Sequence, residues 1–366
     1  MPQPRLALAH EWLDQPAGSE KTFLSMADAF PDADLFALSN DLDAAVLQGR
    51  TVRTTFVPRT PLLRSSRPLA LPLMPLAWRL IDAGEYDLVI TSSHACVKGF
   101  RPGRAATHLC YCYTPMRYVW EADDDRGGSQ RLARFGPAAA LRSWDRRSAR
   151  WVDDFAAISL AVQERIEAHY GRSSRVIHPP VDTEFYRPGP VDDPALPFPA
   201  GQFVLACSRF IPYKRLDVAI ETAARIGIPI VVAGSGPAEE QLRATAARAR
   251  ADAAFVGRPT DIDLRCLYRA AAAFIFPALE DFGIVAVEAQ ACGTPVVALD
   301  AGGSRDTVVD GATGRLVAGQ DLDAFAVGLA DLLASPADPA ACTANASRFS
   351  TARFQAAIRA WVDEFG

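Results

Sequence analysis

Two carboxylates eight positions apart, Glu280 and Glu288, bracket the turn Phe282-Gly283-Ile284 in the string EDFGIVAVEAQACGTPVV at 280–297. The apolar run Ala273 to Phe276 reads as a strand. The loop after it carries Glu280, and the spacing predicts a helix opening at Gly283 with Glu288 in its second turn. The first turn of such a helix offers backbone N–H groups, here those of Phe282, Gly283 and Ile284, at the positive end of the helix dipole. Acceptor carboxylates on either side of free amides suit a polyhydroxylated ligand that carries a diphosphate. Sugar hydroxyls donate to Glu280, ribose hydroxyls donate to Glu288, and phosphate oxygens take the amides.

Cations for such a diphosphate are also recognisable. Only three of the 38 basic residues are lysine, Lys21, Lys98 and Lys214, so arginine serves wherever it can and each retained lysine is a candidate. Lys214 lies five residues after Arg209, just beyond the strand Phe203 to Cys207, where an open α/β sheet binds ligand. A compact ammonium beside a guanidinium suits a departing diphosphate. Lys21 and Lys98 read equally well as surface charges. After the first strand comes Asp14-Gln15-Pro16-Ala17-Gly18-Ser19-Glu20-Lys21, where small residues let backbone approach an anion at a helix start. Gly18 and Ser19 are the candidates there, and a plain turn with Ser19 as N-cap is the alternative. His94 follows the strand Leu88 to Thr91 and faces the ligand edge or serves structure.

The elements that must position these residues alternate regularly. Strand candidates in the first half are Leu6 to Ala9, Leu35 to Leu38, Leu88 to Thr91, Leu109 to Tyr113 and Phe155 to Ile158. In the second half they are Phe203 to Cys207, Ile230 to Ala233, Ala254 to Val256, Ala273 to Phe276 and Val296 to Leu299. Amphipathic helices between short apolar strands predict an α/β chain with doubly wound parallel sheets. Proline excludes helix and central strand from Pro179 to Gly201, the expected linker between domains 1–180 and 181–350. A last amphipathic helix is expected over 351–366. Neither half has G-x-G-x-x-G after its first strand, which argues against a nicotinamide or flavin enzyme.

A chain of 366 residues with 49% apolar content can bury two cores, and a formal charge of −5 argues against nucleic acid. No apolar run reaches the roughly 18 residues of a membrane span, and MPQPRLALAHEW lacks a signal-peptide pattern, so the cytosol is expected. Seven cysteines without C-x-x-C spacing read as reduced core residues, and Cys110-x-Cys112 lacks a second ligand pair. Asp123-Asp124-Asp125 precedes a Gly-rich stretch rather than ending a strand, which argues against a metal there.

The order of these motifs resembles the retaining family 4 glycosyltransferases of the GT-B fold. Glu280-x7-Glu288 matches that family's signature, joined by Ala17-Gly18-Ser19-Glu20, Ser93-His94-Ala95, His178-Pro179-Pro180-Val181-Asp182 and Ser208-Arg209-Phe210 with Lys214. The resemblance implies two Rossmann-like domains whose parallel sheets face a central cleft, and a nucleotide-sugar donor in the second. It assigns Arg209 and Lys214 to the diphosphate in place of a metal, with no cofactor, and implies that Gly257-Arg258 touches the base. Gly302-Gly303-Ser304-Arg305-Asp306, with Asp306 where glutamate is common, is a backbone nest near the donor or a simple turn. The same resemblance implies that His94 faces the transferred sugar, that the final helix crosses back onto the first domain, and that Tyr113-Thr114-Pro115-Met116-Arg117-Tyr118 forms an acceptor-side loop in which Tyr113 and Arg117 are the candidates. The implied mechanism is front-face displacement in which the departing phosphate oxygen takes the acceptor's proton and Glu280 orients the sugar. Similarity to bacterial mannosyltransferases makes GDP-mannose the first donor, with a lipid-linked saccharide of a capsule, exopolysaccharide or O-antigen as acceptor. The alternatives are a UDP-sugar transferase, a sugar-nucleotide epimerase of the same fold, or a silent nucleotide-sugar binding subunit.

From Ala44 to Ile81 there is no acidic residue, while Arg50, Arg53, Arg59, Arg64, Arg67 and Arg79 alternate with Leu, Pro, Met74 and Trp78. Such a segment suits an anionic lipid surface, with Arg142, Arg146, Arg147 and Arg150 spaced to share a helix face. The expectation is peripheral docking on the cytoplasmic face of the inner membrane, where a polyprenyl-diphosphate-linked acceptor resides. An ordinary arginine-rich solvated surface is the alternative.

Overall fold

The structure, a computed structural model, describes residues 5–15, 17–60, 63, 70–81, 84–101, 103, 106–120, 136–191 and 196–366. The chain folds as two units. One runs to Pro180 and takes back Ala352–Gly366, and the other holds Val181–Thr351.

In the first unit the strands are β1 (Leu6–Leu13), β2 (Asp34–Asn40), β3 (Val52–Thr54), β4 (Leu88–Ser93), β5 (Thr107–Cys112), β6 (Asp154–Ala157) and β7 (Arg175–Val176). Among the described residues they form one parallel sheet in the order β3-β2-β1-β4-β5-β6-β7. In the second unit β8 (Val204–Cys207), β9 (Ile230–Ala233), β10 (Ala253–Phe255), β11 (Ala273–Phe276), β12 (Val296–Leu299) and β13 (Gly314–Val317) pair in parallel in the order β10-β9-β8-β11-β12-β13. Both are doubly wound sheets of the Rossmann type, as the alternation of strand and helix predicts. Strands covered by helices on two faces are apolar nearly throughout, as Ala273–Phe276 and Val296–Leu299 are, and all eight residues are buried.

Sheet order decides where chemistry collects. The winding direction reverses between β1 and β4 in the first unit and between β8 and β11 in the second. Loops leaving the carboxyl ends of such strands diverge and open a crevice. In the first unit those loops begin at residues 14 and 94, and in the second at 208 and 277.

Several elements differ from the expected boundaries. β1 continues four residues past Ala9, because His10 and Glu11 are fully buried polar residues inside it. β3, β7 and β13 are not legible as strands, because each is only two to four residues long and carries an arginine. Most of the proline-rich stretch belongs to the second unit, where Val181 bridges to Ser350 and the buried Tyr186 packs on Tyr268 with ring centroids 5.9 Å apart. The last helix, Thr351–Asp363, buries Phe354, Ile358 and Trp361 at helical spacing. Trp361 donates to Asp154 at 2.8 Å and Gln355 donates to the Ser25 carbonyl at 3.2 Å, both within the first unit.

The arginine-rich surface is also more occupied than its composition suggests. Met74 and Trp78 are buried in the core, Arg50 pairs with Asp28 at 2.7 Å, and Arg53 lies 5.6 Å over Phe36. Arg64 and Arg67 lie outside the described residues. Leu73, Leu76 and Leu80 are exposed on or beside the helix Met74–Leu80 together with Arg79. The second arginine cluster does not share one helix face. Its helix, Gly136–Ser148, ends before Arg150, which sits in the tighter turn Ala149–Trp151. Arg142 donates to the Val119 carbonyl at 2.5 Å and Arg146 to that of His169 at 3.1 Å. Among the described residues no helix is long and apolar enough to cross a membrane.

Candidate active site

In the second unit the loop from β11 carries Glu280 into the helix Ile284–Ala291. Gly283 caps this helix at φ +88°, a left-handed conformation that glycine adopts without strain, so the helix begins one residue later than expected. Phe282 is buried against Phe349, with centroids 5.4 Å apart, and anchors the turn. Glu280 stays partly exposed and forms an ion pair with the Lys214 ammonium. Glu288, in the second helical turn, is 9% exposed and accepts a hydrogen bond from the Tyr268 hydroxyl at 3.1 Å. One carboxylate therefore meets a cation while the other is held by a buried phenol.

Arg209 is exposed on the loop leaving β8, and the short turn Pro212–Lys214 returns the ammonium toward Glu280. Two glycines that the sequence reading passed over make this loop possible. A Cβ at Gly234 would stand 1.9 Å from the Ser208 carbonyl oxygen, and one at Gly236 would stand 2.5 Å from that of Phe210. The Gly-Ser-Gly string after β9 was the available signal. Gly234 also donates to the Gly257 carbonyl at 2.5 Å, so the loops leaving β8, β9 and β10 are tied together. Gly257, at φ +65°, and the exposed Arg258 lie on the last of these. A cavity of about 400 Å³ opens beside Tyr213 and Arg215, and its lining does not include Lys214, Glu280 or Glu288. The convergence of opposite charges, rather than that hollow, marks the chemistry.

Gly302 and Gly303 act as a brace. The Gly303 amide donates to the Glu280 carbonyl at 2.8 Å, so it is spent on the protein. Gly303 has an ordinary φ of −70°, yet an added Cβ would stand 2.2 Å from Phe282 Cα and 2.6 Å from the Asp281 carbonyl oxygen. Gly303→Ala is therefore a purely steric test. It is expected to cost about 1–3 kcal/mol and to displace Glu280. A thermal melt together with ligand titration checks this, and an unchanged pair of values would refute the brace.

In the first unit the helix Gly18–Ala29 is preceded by Ala17 as N-cap, without a side-chain capping bond. Ser19 is thus its second residue and not its cap. The Ser19 hydroxyl donates to Glu20 at 2.8 Å, and its carbonyl accepts from the Tyr113 hydroxyl at 3.0 Å. Tyr113 in turn accepts from the Ser92 hydroxyl at 3.0 Å. Its polar atom pins the glycine turn. His94 is half-buried, 4.6 Å from Trp12, 5.8 Å from His10 and 6.1 Å from Tyr113 between ring centroids. Gly18, Ser19, His94 and Tyr113 thus lie around one sheet edge, and Arg117 opens the short helix Arg117–Trp120 nearby in sequence.

Two further residues, His10 and Glu11, were missed because they are polar and buried, and Lys98 is buried as well. His10 donates from Nδ1 to the Ser92 carbonyl at 3.1 Å, and burial holds its pKa down at about 3, so the ring is neutral. Glu11 accepts from the amides of Ala95 and Val97 at 2.7 and 2.9 Å and shapes the turn that carries His94. Burial raises the pKa of Glu11, against the lowering effect of those amides and of Lys98. Lys98, read as a possible surface charge, is 2% exposed and ion-paired with the fully buried Asp145. Asp123, Asp124 and Asp125 lie outside the described residues.

Comparison with known proteins extends this geometry. Residues 16–185 match the family model described as Glycosyltransferase Family 4, and residues 193–349 match that described as Glycosyl transferases group 1. The D-inositol 3-phosphate glycosyltransferase of Mycolicibacterium paratuberculosis is 38% identical over 207 residues, 52% of this chain and 47% of that protein. Its counterpart in Mycobacterium tuberculosis is 39% identical over 177 residues, 45% of this chain and 37% of that protein. The chain spans about half the length, or less, of these curated relatives. Among solved structures, Anabaena HepE in complex with UDP and glucose aligns with a TM-score of 0.72 at 20% identity, over 98% of this chain and 99% of that one. Sucrose-phosphate synthase from Thermosynechococcus elongatus aligns with a TM-score of 0.77 at 20% identity, with the same coverage.

Proposed function

This chain belongs to the family 4, group 1 glycosyltransferases of the GT-B fold, and from that premise we propose that it transfers a hexose from a nucleotide sugar with retention at the anomeric carbon. The observation that carries this reading is the meeting of Lys214 and Glu280 at the β8/β11 reversal, with Glu288 in the second turn of the helix that follows. Lys214 and Arg209 face the diphosphate, and the first amides of the helix Ile284–Ala291 add their dipole. Glu280 accepts from the sugar hydroxyls and Glu288 from the ribose. The bond from the anomeric carbon to the phosphate oxygen breaks. The acceptor oxygen bonds to the same face, and its proton passes to the departing phosphate oxygen. Protein cations meet the developing charge, so the reaction calls for no metal.

GDP-mannose is our first donor. A UDP-sugar is the second reading, favoured by the UDP in the HepE complex. The acceptor is a polyprenyl-diphosphate-linked saccharide, supported by the exposed Leu73, Leu76 and Leu80 beside Arg79, which suit an anionic inner leaflet. The names of the curated relatives favour a phosphorylated polyol as the second acceptor reading.

Calorimetry with GDP-mannose, UDP-glucose, UDP-galactose and UDP-N-acetylglucosamine, with and without EDTA, tests the donor. One nucleotide family is expected to bind and to raise the melting temperature, without regard to chelator, in wild type but not in Arg209→Ala or Glu288→Ala. Silence across the panel from folded wild type would overturn the donor site.

A further inference from the structure

Lys214 and Glu280, which the proposed reaction gives to different parts of the donor, are joined to each other. They lie on loops 66 residues apart and are both mostly buried, with side-chain exposures of 12% and 22%. A phosphate group entering the site competes for the Lys214 hydrogens. Whatever Lys214 gives up must be restored to Glu280, because a half-buried carboxylate that loses a charged donor loses a strong hydrogen bond. An intact nucleotide sugar restores it through the hydroxyls of its hexose. A bare nucleoside diphosphate has none to offer, and its terminal phosphate carries an additional negative charge. Glu280 repels that charge while Lys214 and Arg209 attract it, so the missing hydroxyls decide the discrimination.

Resting on the donor-site reading above, we propose that the Lys214–Glu280 pair is a specificity device that admits the intact nucleotide sugar and disfavours the nucleoside diphosphate left after transfer. Glu280 then does two things: it orients the hexose, and it expels the product once the hexose has gone. Release of product limits turnover in many transferring enzymes, so a carboxylate aimed at that step has a use. The rigid turn around it serves the same end. Gly303 holds the Glu280 carbonyl, and Phe282, two residues on, is buried, so the backbone from which the carboxylate projects is fixed.

The test is equilibrium binding, independent of any acceptor. Dissociation constants for GDP and GDP-mannose, and for UDP and UDP-glucose, are measured by calorimetry on wild type, Glu280→Gln, Lys214→Met and the double variant. Circular dichroism and melting temperature establish that each is folded. Glu280→Gln is expected to bind the nucleoside diphosphate roughly tenfold more tightly, while the nucleotide sugar gains nothing or weakens. Lys214→Met weakens both ligands, and in the double variant the gain from Glu280→Gln disappears. Equal weakening of both ligands by Glu280→Gln, or a gain that persists without Lys214, overturns the device while leaving the donor site intact. Failure of wild type to bind any of the four ligands overturns the donor site, and this proposal falls with it.

Discussion

Lys214→Met is expected to lower kcat about 10²–10³-fold while the protein stays folded, the loss found when one preorganised charge is removed from a developing anion. The ammonium sits at the end of a turn fixed on both sides. Lys214 donates its amide to the Ile211 carbonyl at 3.0 Å, and the next residue, Arg215, enters the helix Leu216–Ile226 at φ +50°. The side chain therefore reaches Glu280 from a defined position, where a donor phosphate can take over its hydrogens. Lys214→Arg is expected to recover only part of the rate, since a planar fork does not occupy the place of a compact ammonium. Release of nucleoside diphosphate at saturating donor measures the effect. A loss below about threefold in Lys214→Met would move the burden to Arg209, which is exposed on the same loop.

Residues of this kind were legible because they sit immediately after apolar strands. Cys207 precedes Arg209 by two positions and Phe276 precedes Glu280 by four, and a parallel sheet brings its strand ends to one edge. Pattern and spacing suffice for that. They do not reach the groups that hold the edge in shape. His10 and Glu11 interrupt the apolar run of β1, which period and propensity read as the end of a strand. Only the neighbouring strand and turn, with Ser92, Ala95 and Val97 more than 80 residues away, explain why the polar pair is tolerated. Gly234 and Gly236, and the bracing role of Gly303 within a turn the sequence does single out, were equally hidden. Their need for a missing side chain arises from backbones that meet only in three dimensions. The scarcity of lysine pointed at Lys98 and at Lys214 alike, without distinguishing a strut inside the core from a cation at the sheet edge.

Lys98 leads to the largest effect on stability. Its ammonium is ion-paired with Asp145 and donates to the Ala95 carbonyl at 3.0 Å, in the turn that carries His94. Asp145 also accepts from the Trp120 indole at 2.7 Å and the Tyr170 hydroxyl at 2.8 Å, so one carboxylate joins four segments of the first unit. Burial alone would depress the pKa of Lys98. The adjacent carboxylate outweighs it and holds the pKa above the ordinary lysine value. A cation whose pKa is raised by folding contributes stability at all pH values below its unfolded pKa, and that contribution fades only as pH rises through the folded value. Around neutrality the contribution of Lys98 is therefore fully present. Lys98→Met removes it and strands the Asp145 charge in the core, at an expected cost of about 3–5 kcal/mol. That is a large share of a total on the order of 5–15 kcal/mol. Urea unfolding followed by circular dichroism reads the loss directly. Pairing Lys98→Met with Asp145→Leu should recover only part of it, because the apolar pair leaves no unpaired charge behind but deprives the Trp120 indole and the Tyr170 hydroxyl of their acceptor. A single variant as stable as wild type would mean that Trp120 and Tyr170 alone satisfy Asp145, and that the turn bearing His94 is held by Glu11.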